Sequence, residues 1–439
     1  AKAKKKKSST IKKAAKEVVK EVSPRRVRKF FGELGPGLIT GAADDDPSGI
    51  STYSVTGASF GYAPLWTALF SFPLMAAVQI MCARLGMVTG RGFAGVLRSR
   101  YPTWVMWSAC ALLIVANVFN IGADLAGMAE ASKMVTGISF FLWVPVYATL
   151  ITSLLFWTSY NSIVRVFKWL TLVLFAYVIA AFLAHPNWTK VLTSTLVPHI
   201  EWSSRYLATL VGILGTTISP YLFFWQASEE VEEERKRGRS TVTQRKGATT
   251  EELRKSRTDV LTGMFFSNVV MYFIILTTAA TLYTQGHTNI ETAQQAAEAL
   301  RPLAGKSAYL LFTIGLIGTG MLGIPVLAGA AAYAVAEAGA WRATLSVRPP
   351  LAKKFYAVIA SAMLLGMVLD YVGISAVKML FWSAVLNGVL APPLIALVVL
   401  LTSSEKVMRD RKNSPVLQIL GWATAIIMAA AAIAMFVTM

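Results

Sequence analysis

Asp44, Asp45 and Asp46 stand side by side in a run that is otherwise apolar, and Pro47, Ser48 and Gly49 follow them. Charge at membrane depth is costly, so a carboxylate there is a functional residue by default. Pro47 removes a backbone donor, and the neighbouring Gly and Ser favour an unwound stretch. Unwinding frees carbonyls and creates half-helix ends, which a bilayer tolerates only against protein or a water-filled cavity. Carboxylates beside free carbonyls form a set of hard oxygen ligands suited to a cation. Asp46 is the leading ligand, direct or through water. Asp44 and Asp45 are expected to face the same aqueous vestibule and add negative potential, or one of them to cap the broken half-helix. Gly49 either exposes a carbonyl or makes room. The bland alternative, a surface hairpin with three solvated aspartates, is opposed by the apolar sequence on both sides.

A second break matches the first. Residues 211–226 carry Gly215, Thr216, Thr217, Ser219, Pro220 and Tyr221 in the middle of an apolar run. Paired discontinuous helices at corresponding places in two halves point to a transporter site. Ser219 and Tyr221 offer hydroxyls to the ion's waters, although a helix-satisfied hydroxyl is an equal reading for Ser219. Asn117, Asn120 and Asp124 recur on one helix face, as do Ser383 with Asn387. Each set either lines the permeation route or joins helices by polar contacts. Glu229, Glu230, Glu232, Glu233 and Glu234 either attract cations at an inner mouth or pair with the basic run that follows.

The elements that position these residues are membrane helices. The chain has 439 residues, 55% hydrophobic and only 15% charged, whereas soluble domains carry about 25% charged residues. Apolar runs of about 18 residues or more fall at 35–58, 63–89, 104–128, 138–158, 162–185, 206–227, 260–283, 309–336, 355–373, 375–401 and 416–438, which predicts an all-α integral membrane protein of eleven spans. Lys and Arg cluster after every even-numbered span: Arg91, Arg98 and Arg100; Arg165 and Lys168; the run 235–257; Arg342 to Lys354; Lys406 to Lys412. The positive-inside rule therefore expects the N-terminus in the cytoplasm and the C-terminus outside, in a plasma or inner membrane. The net charge is +19, concentrated in a tail, 1–34, read as solvated and able to meet anionic lipid. No nucleic-acid fold can be built around it. No secretory signal peptide is expected. Cys82 and Cys110 form no disulfide framework or zinc spacing. All three histidines, His185, His199 and His287, fall outside the spans or at their edges. With no convincing nucleophile–base pair, an enzyme is not expected, and no cofactor or obligate protein partner is implied. The partners are the lipid bilayer and a divalent cation.

Gly35-Pro36-Gly37, Asp46-Pro47, Phe60-Gly61-Tyr62 with Leu65-Trp66, the run Ala83 to Arg91, and Asp124-Leu125-Ala126 resemble the NRAMP family of divalent-metal transporters. The resemblance covers most of residues 30–400 and is densest over 35–91. It implies a LeuT-type fold, a five-plus-five inverted repeat with one extra span, and a metal site between the first and sixth helices. The expected division is a tail 1–34, a first repeat 35–185, an outside loop 186–205, a second repeat 206–401, and a loop with the eleventh helix over 402–439.

The departures from the family are directional. Where it usually reads Asp-Pro-Gly-Asn, this chain has Asp46-Pro47-Ser48-Gly49; where it reads Ala-x-x-Met-Pro-His, this chain has Thr216-x-x-Ser219-Pro220-Tyr221. The acid usual three residues after the third-helix Asp is Gly127. A thioether favours transition metals over hard cations, and the smaller residues widen the site. Mg2+ keeps several waters and suits a roomy oxygen pocket. This pattern resembles the NRAMP-related magnesium transporters, a branch in which proton coupling is thought to be lost. The expected metal residues are Asp46, Gly49, Thr216 and Ser219, with Asp44, Asp45, Tyr221, Asp124, Asn117, Asn120, Ser383 and Asn387 around them. The expected function is secondary transport of Mg2+, and also Mn2+, by alternating access without proton coupling, the metal being cargo. The alternatives are a proton-coupled manganese or broad-range transporter and, from another class, a transport-inactive membrane sensor.

Overall fold

The computed structural model describes residues 35–439 apart from 159–161, 163–171, 343, 346 and 348. The tail 1–34, Arg165, Lys168, Arg348 and most of the first half of the fifth expected span lie outside the described residues. Every regular element among the described residues is a helix. Those that matter here are α1 (Pro36–Asp44), α2 (Pro47–Phe60), α3 (Trp66–Thr89), α4 (Phe93–Arg100), α5 (Thr103–Thr136), α6 (Phe140–Trp157), α7 (Ala176–Leu183), α8 (Ser204–Thr217), α9 (Pro220–Lys236), α10 (Thr250–Thr281), α11 (Ala308–Ala338), α12 (Lys353–Leu369), α13 (Ala376–Ser403) and α14 (Pro415–Thr438). Nine helical stretches among the described residues are long and apolar enough to cross a membrane. They coincide with nine of the expected spans. The first expected span is divided between α1 and α2, and the described part of the fifth is the apolar stretch Leu172–Leu183.

Both breaks have the same local cause. The residue before a proline is pushed out of the helical region, and Asp46 and Ser219 are both extended, with ψ 171° and 132°. Proline is tolerated at the first helical position, where its missing N–H has no partner to lose. Pro47 and Pro220 therefore open α2 and α9. The chain stops one helix and starts another within two residues at each place.

Long-range packing holds the half-helices. The first amides of α1, at Gly37 and Leu38, donate to the carboxylate of Asp259 on α10 at 2.6 and 3.2 Å, a cap supplied from another helix. One turn on, a Cβ at Gly41 would lie 2.3 Å from the Gly263 backbone. Small residues let membrane helices approach this closely. Gly41→Leu is expected to force α1 from α10 and destabilise the protein by roughly 1–3 kcal/mol. A lowered Tm of the purified variant checks this; an unchanged Tm would mean the contact tolerates a side chain.

The outer surface is apolar, as lipid contact requires. Ile419, Ile426 and Ile433 recur every seven residues on α14 and are 67, 63 and 63% exposed, so one stripe of that helix faces outward. Trp104, Trp157 and Trp202 are exposed near helix ends, where amphipathic rings mark membrane interfaces.

Candidate functional site

Asp46 is the N-cap of α2. Its Oδ1 accepts from the Gly49 amide at 2.9 Å and the Ser48 hydroxyl at 2.7 Å. The positive end of the half-helix thus holds this carboxylate. Its other oxygen, Oδ2, meets only the Tyr221 hydroxyl, at 3.3 Å. Tyr221 also donates to the Ala43 carbonyl at 3.0 Å. It therefore bridges the end of α1 and the start of α2 from across the second break. Oδ2 is the oxygen with the weakest partner and the one a cation can claim most easily.

Asp44 and Asp45 do not face a water-filled vestibule in this structure. They are 1 and 5% exposed, and the Ser267 hydroxyl of α10 lies 2.7 Å from Asp44 Oδ2 and 3.2 Å from Asp45 Oδ1. The close packing of α10 on α1 buries both carboxylates. Asp44 Oδ1 is buried without a hydrogen-bond partner. The capping role falls to Asp46 instead. Gly49 gives its amide to that cap, and a Cβ at this position would meet only ordinary contacts, 3.4 Å from the Asp44 carbonyl and from the Tyr53 ring.

At the second break, Ser219 donates to the Gly215 and Thr216 carbonyls at 2.9 and 2.8 Å. It is satisfied by its own chain, and it covers the Thr216 carbonyl. The Thr216 hydroxyl likewise turns back to Gly212 and Ile213. On α11, a Cβ at Gly323 would stand 3.0 Å from the Asp46 Cβ, so the missing side chain eases the close approach of that helix to the break. Asp46 itself is 2% exposed, so the site is closed to solvent.

The flanking polar residues divide. Asn117 donates to the Leu327 carbonyl on α11 at 2.7 Å, a helix-to-helix bond. Ser383 bonds within α13, to Leu380. Asn120 and Asn387 are buried with no hydrogen-bond partner on their side-chain atoms among the described residues. Unpaired buried polar groups are uncommon and call for a cause. Asp124 lies near enough to Asp46 and the Ser48 backbone to feel both electrostatically. Gly127, in contrast, faces the Leu380 and Leu316 side chains. Among the described residues no three His, Cys, Asp or Glu converge as a ready metal cluster. A bound ion would therefore combine Asp46 with hydroxyls, carbonyls and water.

The glutamates after the second break divide as well. Glu232, Glu233 and Glu234 pair with arginines and Lys236. Glu230, buried as Glu232 and Glu234 are, instead takes bonds from Ser256 at 2.8 Å and from Gln226 at 3.1 Å, and Gln226 accepts from Thr40 of α1. Sequence reasoning missed Ser267, Ser48, Gln226 and Gly323. The one available signal was Ser267-Asn268, a polar pair in the apolar run of α10.

A family model described as Natural resistance-associated macrophage protein-like (Nramp) matches residues 37–438. The divalent metal cation transporter MntH of Aeromonas hydrophila is 28% identical over 403 residues, 90% of this chain and 93% of the relative. MntH of Erwinia tasmaniensis is 29% identical over 311 residues, 69% of this chain and 71% of the relative. Among solved structures, a manganese transporter of Eremococcus coleocola superposes with a TM-score of 0.74 at 21% identity, covering 93% of this chain and 87% of that one. Mhp1, a nucleobase-cation-symport-1 family transporter in a closed conformation, superposes with a TM-score of 0.56 at 14% identity, covering 92% of each chain. The likeness establishes the fold as all-helical and LeuT-type.

Proposed function

We propose, for a chain that belongs to the Nramp family and is a multi-pass membrane transporter of divalent metal cations rather than an enzyme, that its cargo is Mg2+ and also Mn2+, carried by alternating access without proton coupling. One observation supports this most. The residues at the two breaks, Asp46, Gly49, Thr216, Ser219 and Tyr221, present oxygen and neither thioether nor imidazole. Oxygen ligands suit hard cations, and without a soft ligand the site has little means of rejecting Mg2+. Asp46 is the anionic ligand in this reading. Thr216 supplies its carbonyl once the Ser219 hydroxyl turns away, and Gly49 leaves volume for water. A partly hydrated ion needs more room than the closed site offers, so α11 and the first break separate as the site opens.

The halves 35–185 and 206–401 are proposed as the inverted repeats, joined by 186–205 and followed by 402–439. The N-terminus is proposed to be cytoplasmic and the C-terminus outside. All three histidines lie in connections outside the helices, which removes the side chain best poised to exchange protons near neutral pH. The driving force is then the gradient and the membrane potential, about 4.6 kcal/mol for a divalent ion at 100 mV.

The competing reading is proton-coupled manganese transport, favoured by the buried carboxylate of Asp124 beside Asp46. Proteoliposomes at fixed potential decide between them, with Mg2+, Mn2+ and Ca2+ offered in turn and an internal pH dye recording. Uptake of Mg2+ and Mn2+ without acidification is expected. Acidification that tracks Mg2+ entry and vanishes in Asp124→Asn would establish coupling through Asp124. No uptake of any ion would leave the sensor reading.

A further inference from the structure

Away from the cation site, three interhelical connections meet: the segment around α4, the stretch 239–249 between α9 and α10, and the stretch 406–411 between α13 and α14. They border an open cavity of about 680 Å3 whose walls include Arg91, Arg100, Lys246, Lys406, Arg409 and Arg411. Two acids reach it, and both are engaged: Asp410 lies 3.6 Å from Arg411, and Glu252 lies 2.9 Å from Arg239. Arg91, Lys246, Lys406 and Arg409 have no ion pair among the described residues.

The backbone around the cavity is depleted of acceptors. Arg84 donates to the Arg411 and Lys412 carbonyls at 2.5 and 3.2 Å. Arg100 donates to the Lys406 carbonyl. Arg245 donates to the carbonyls of Gly90, Arg239 and Ser240. These bonds stiffen all three connections and cover the carbonyls that would otherwise soften the positive field. The Gly247 amide ties the middle connection to the Val88 carbonyl at the end of α3, at 2.9 Å. Arg409 adopts φ 53° and ψ −128°, a conformation ordinarily left to glycine. Such strain persists where surrounding structure enforces it, and it gathers at ligand sites. A general excess of Lys and Arg on one membrane face accounts for the charge. It does not account for a cavity walled by three connections, covered carbonyls or a strained arginine.

We propose that this cavity binds a phosphate-bearing anion. Guanidinium groups match phosphate oxygens in pairs, and lysines add point charge. The volume suits a small molecule. The phosphate comes either from a soluble polyphosphate or from an anionic phospholipid headgroup, and the two sources are separable.

The test uses the full chain in nanodiscs of phosphatidylcholine alone or mixed with phosphatidylglycerol. Pyrophosphate is titrated calorimetrically in EDTA, so that metal at the cation site plays no part. Binding in the neutral discs is expected, weakened by about tenfold or more in Arg91→Gln and in Lys246→Gln, the loss of one charge-assisted hydrogen bond. Lys190→Gln, remote in sequence from all three connections, keeps it. Arg409→Gly relieves the backbone while removing the charge, so it binds pyrophosphate less tightly at an unchanged or higher Tm, which separates charge from folding. If instead phosphatidylglycerol raises the Tm of the parent and not of the cavity variants, and pyrophosphate does not bind, the ligand is the lipid headgroup. Pyrophosphate binding that is equal in parent and cavity variants overturns the proposal. So does the absence of both pyrophosphate binding and a lipid effect.

Discussion

Asp46→Asn abolishes cation uptake in a protein that still folds: the expected loss is about 100-fold or more in Mg2+ transport. The change keeps an oxygen that can accept from the Gly49 amide and the Ser48 hydroxyl, so the cap on α2 survives. It removes the charge that offsets a cation's lost hydration. Removing one partner of a buried ion pair costs about 3–5 kcal/mol, and each 1.4 kcal/mol is about tenfold in affinity. Asp46→Ala loses the cap as well, a further cost to stability of about 1 kcal/mol, and is the harsher of the two. Radioactive or dye-based uptake into proteoliposomes, with Tm recorded beside it, reads both effects. Unimpaired Mg2+ uptake in a correctly inserted Asp46→Asn protein would remove Asp46 from the site.

Restoring a thioether should move selectivity. In the double variant Gly49→Asn with Ser219→Met, the ratio of Mn2+ to Mg2+ transport is expected to rise by about tenfold or more, because a soft sulfur ligand discriminates between metals that oxygen treats alike. The Gly49 position has room for a Cβ without displacing the backbone around it. Ser219 makes no side-chain cap at α9, so no cap is lost with it; its two bonds to the Gly215 and Thr216 carbonyls are. Those carbonyls are then freed toward the ion. Competition uptake with both metals present measures the ratio. A ratio equal to that of the parent would mean that selectivity resides elsewhere than in these two positions.

The features legible from the chain alone were those set by local physics. A proline disfavours helix in the residue before it and is best placed at the first helical position; Pro73, Pro145, Pro325, Pro392 and Pro393 nonetheless lie inside continuous helices, so it is proline among Gly, Ser and Asp or Thr that marks a break. Asp46-Pro47 and Ser219-Pro220 therefore announced both breaks, and the apolar runs announced the helices that carry them. Which hydroxyl meets which oxygen was a matter of tertiary structure. Ser267 reaches Asp44 and Asp45 from more than 220 residues away, because glycines at 41 and 263 let two helices touch. Nothing in the local pattern of either helix specifies that register. The same holds for Tyr221, whose position in sequence marked a missing histidine but whose hydroxyl spans the first break. It holds for the glutamates in the second half of α9, alike in sequence, of which Glu230 turns into the Gln226–Thr40 contact and Glu232 to Glu234 turn to cations. Backbone breaks arise from sterics between neighbours and can be read in order along the chain. Partners for buried polar groups arise only when packed helices bring distant faces together, because burial without a partner is what costs free energy.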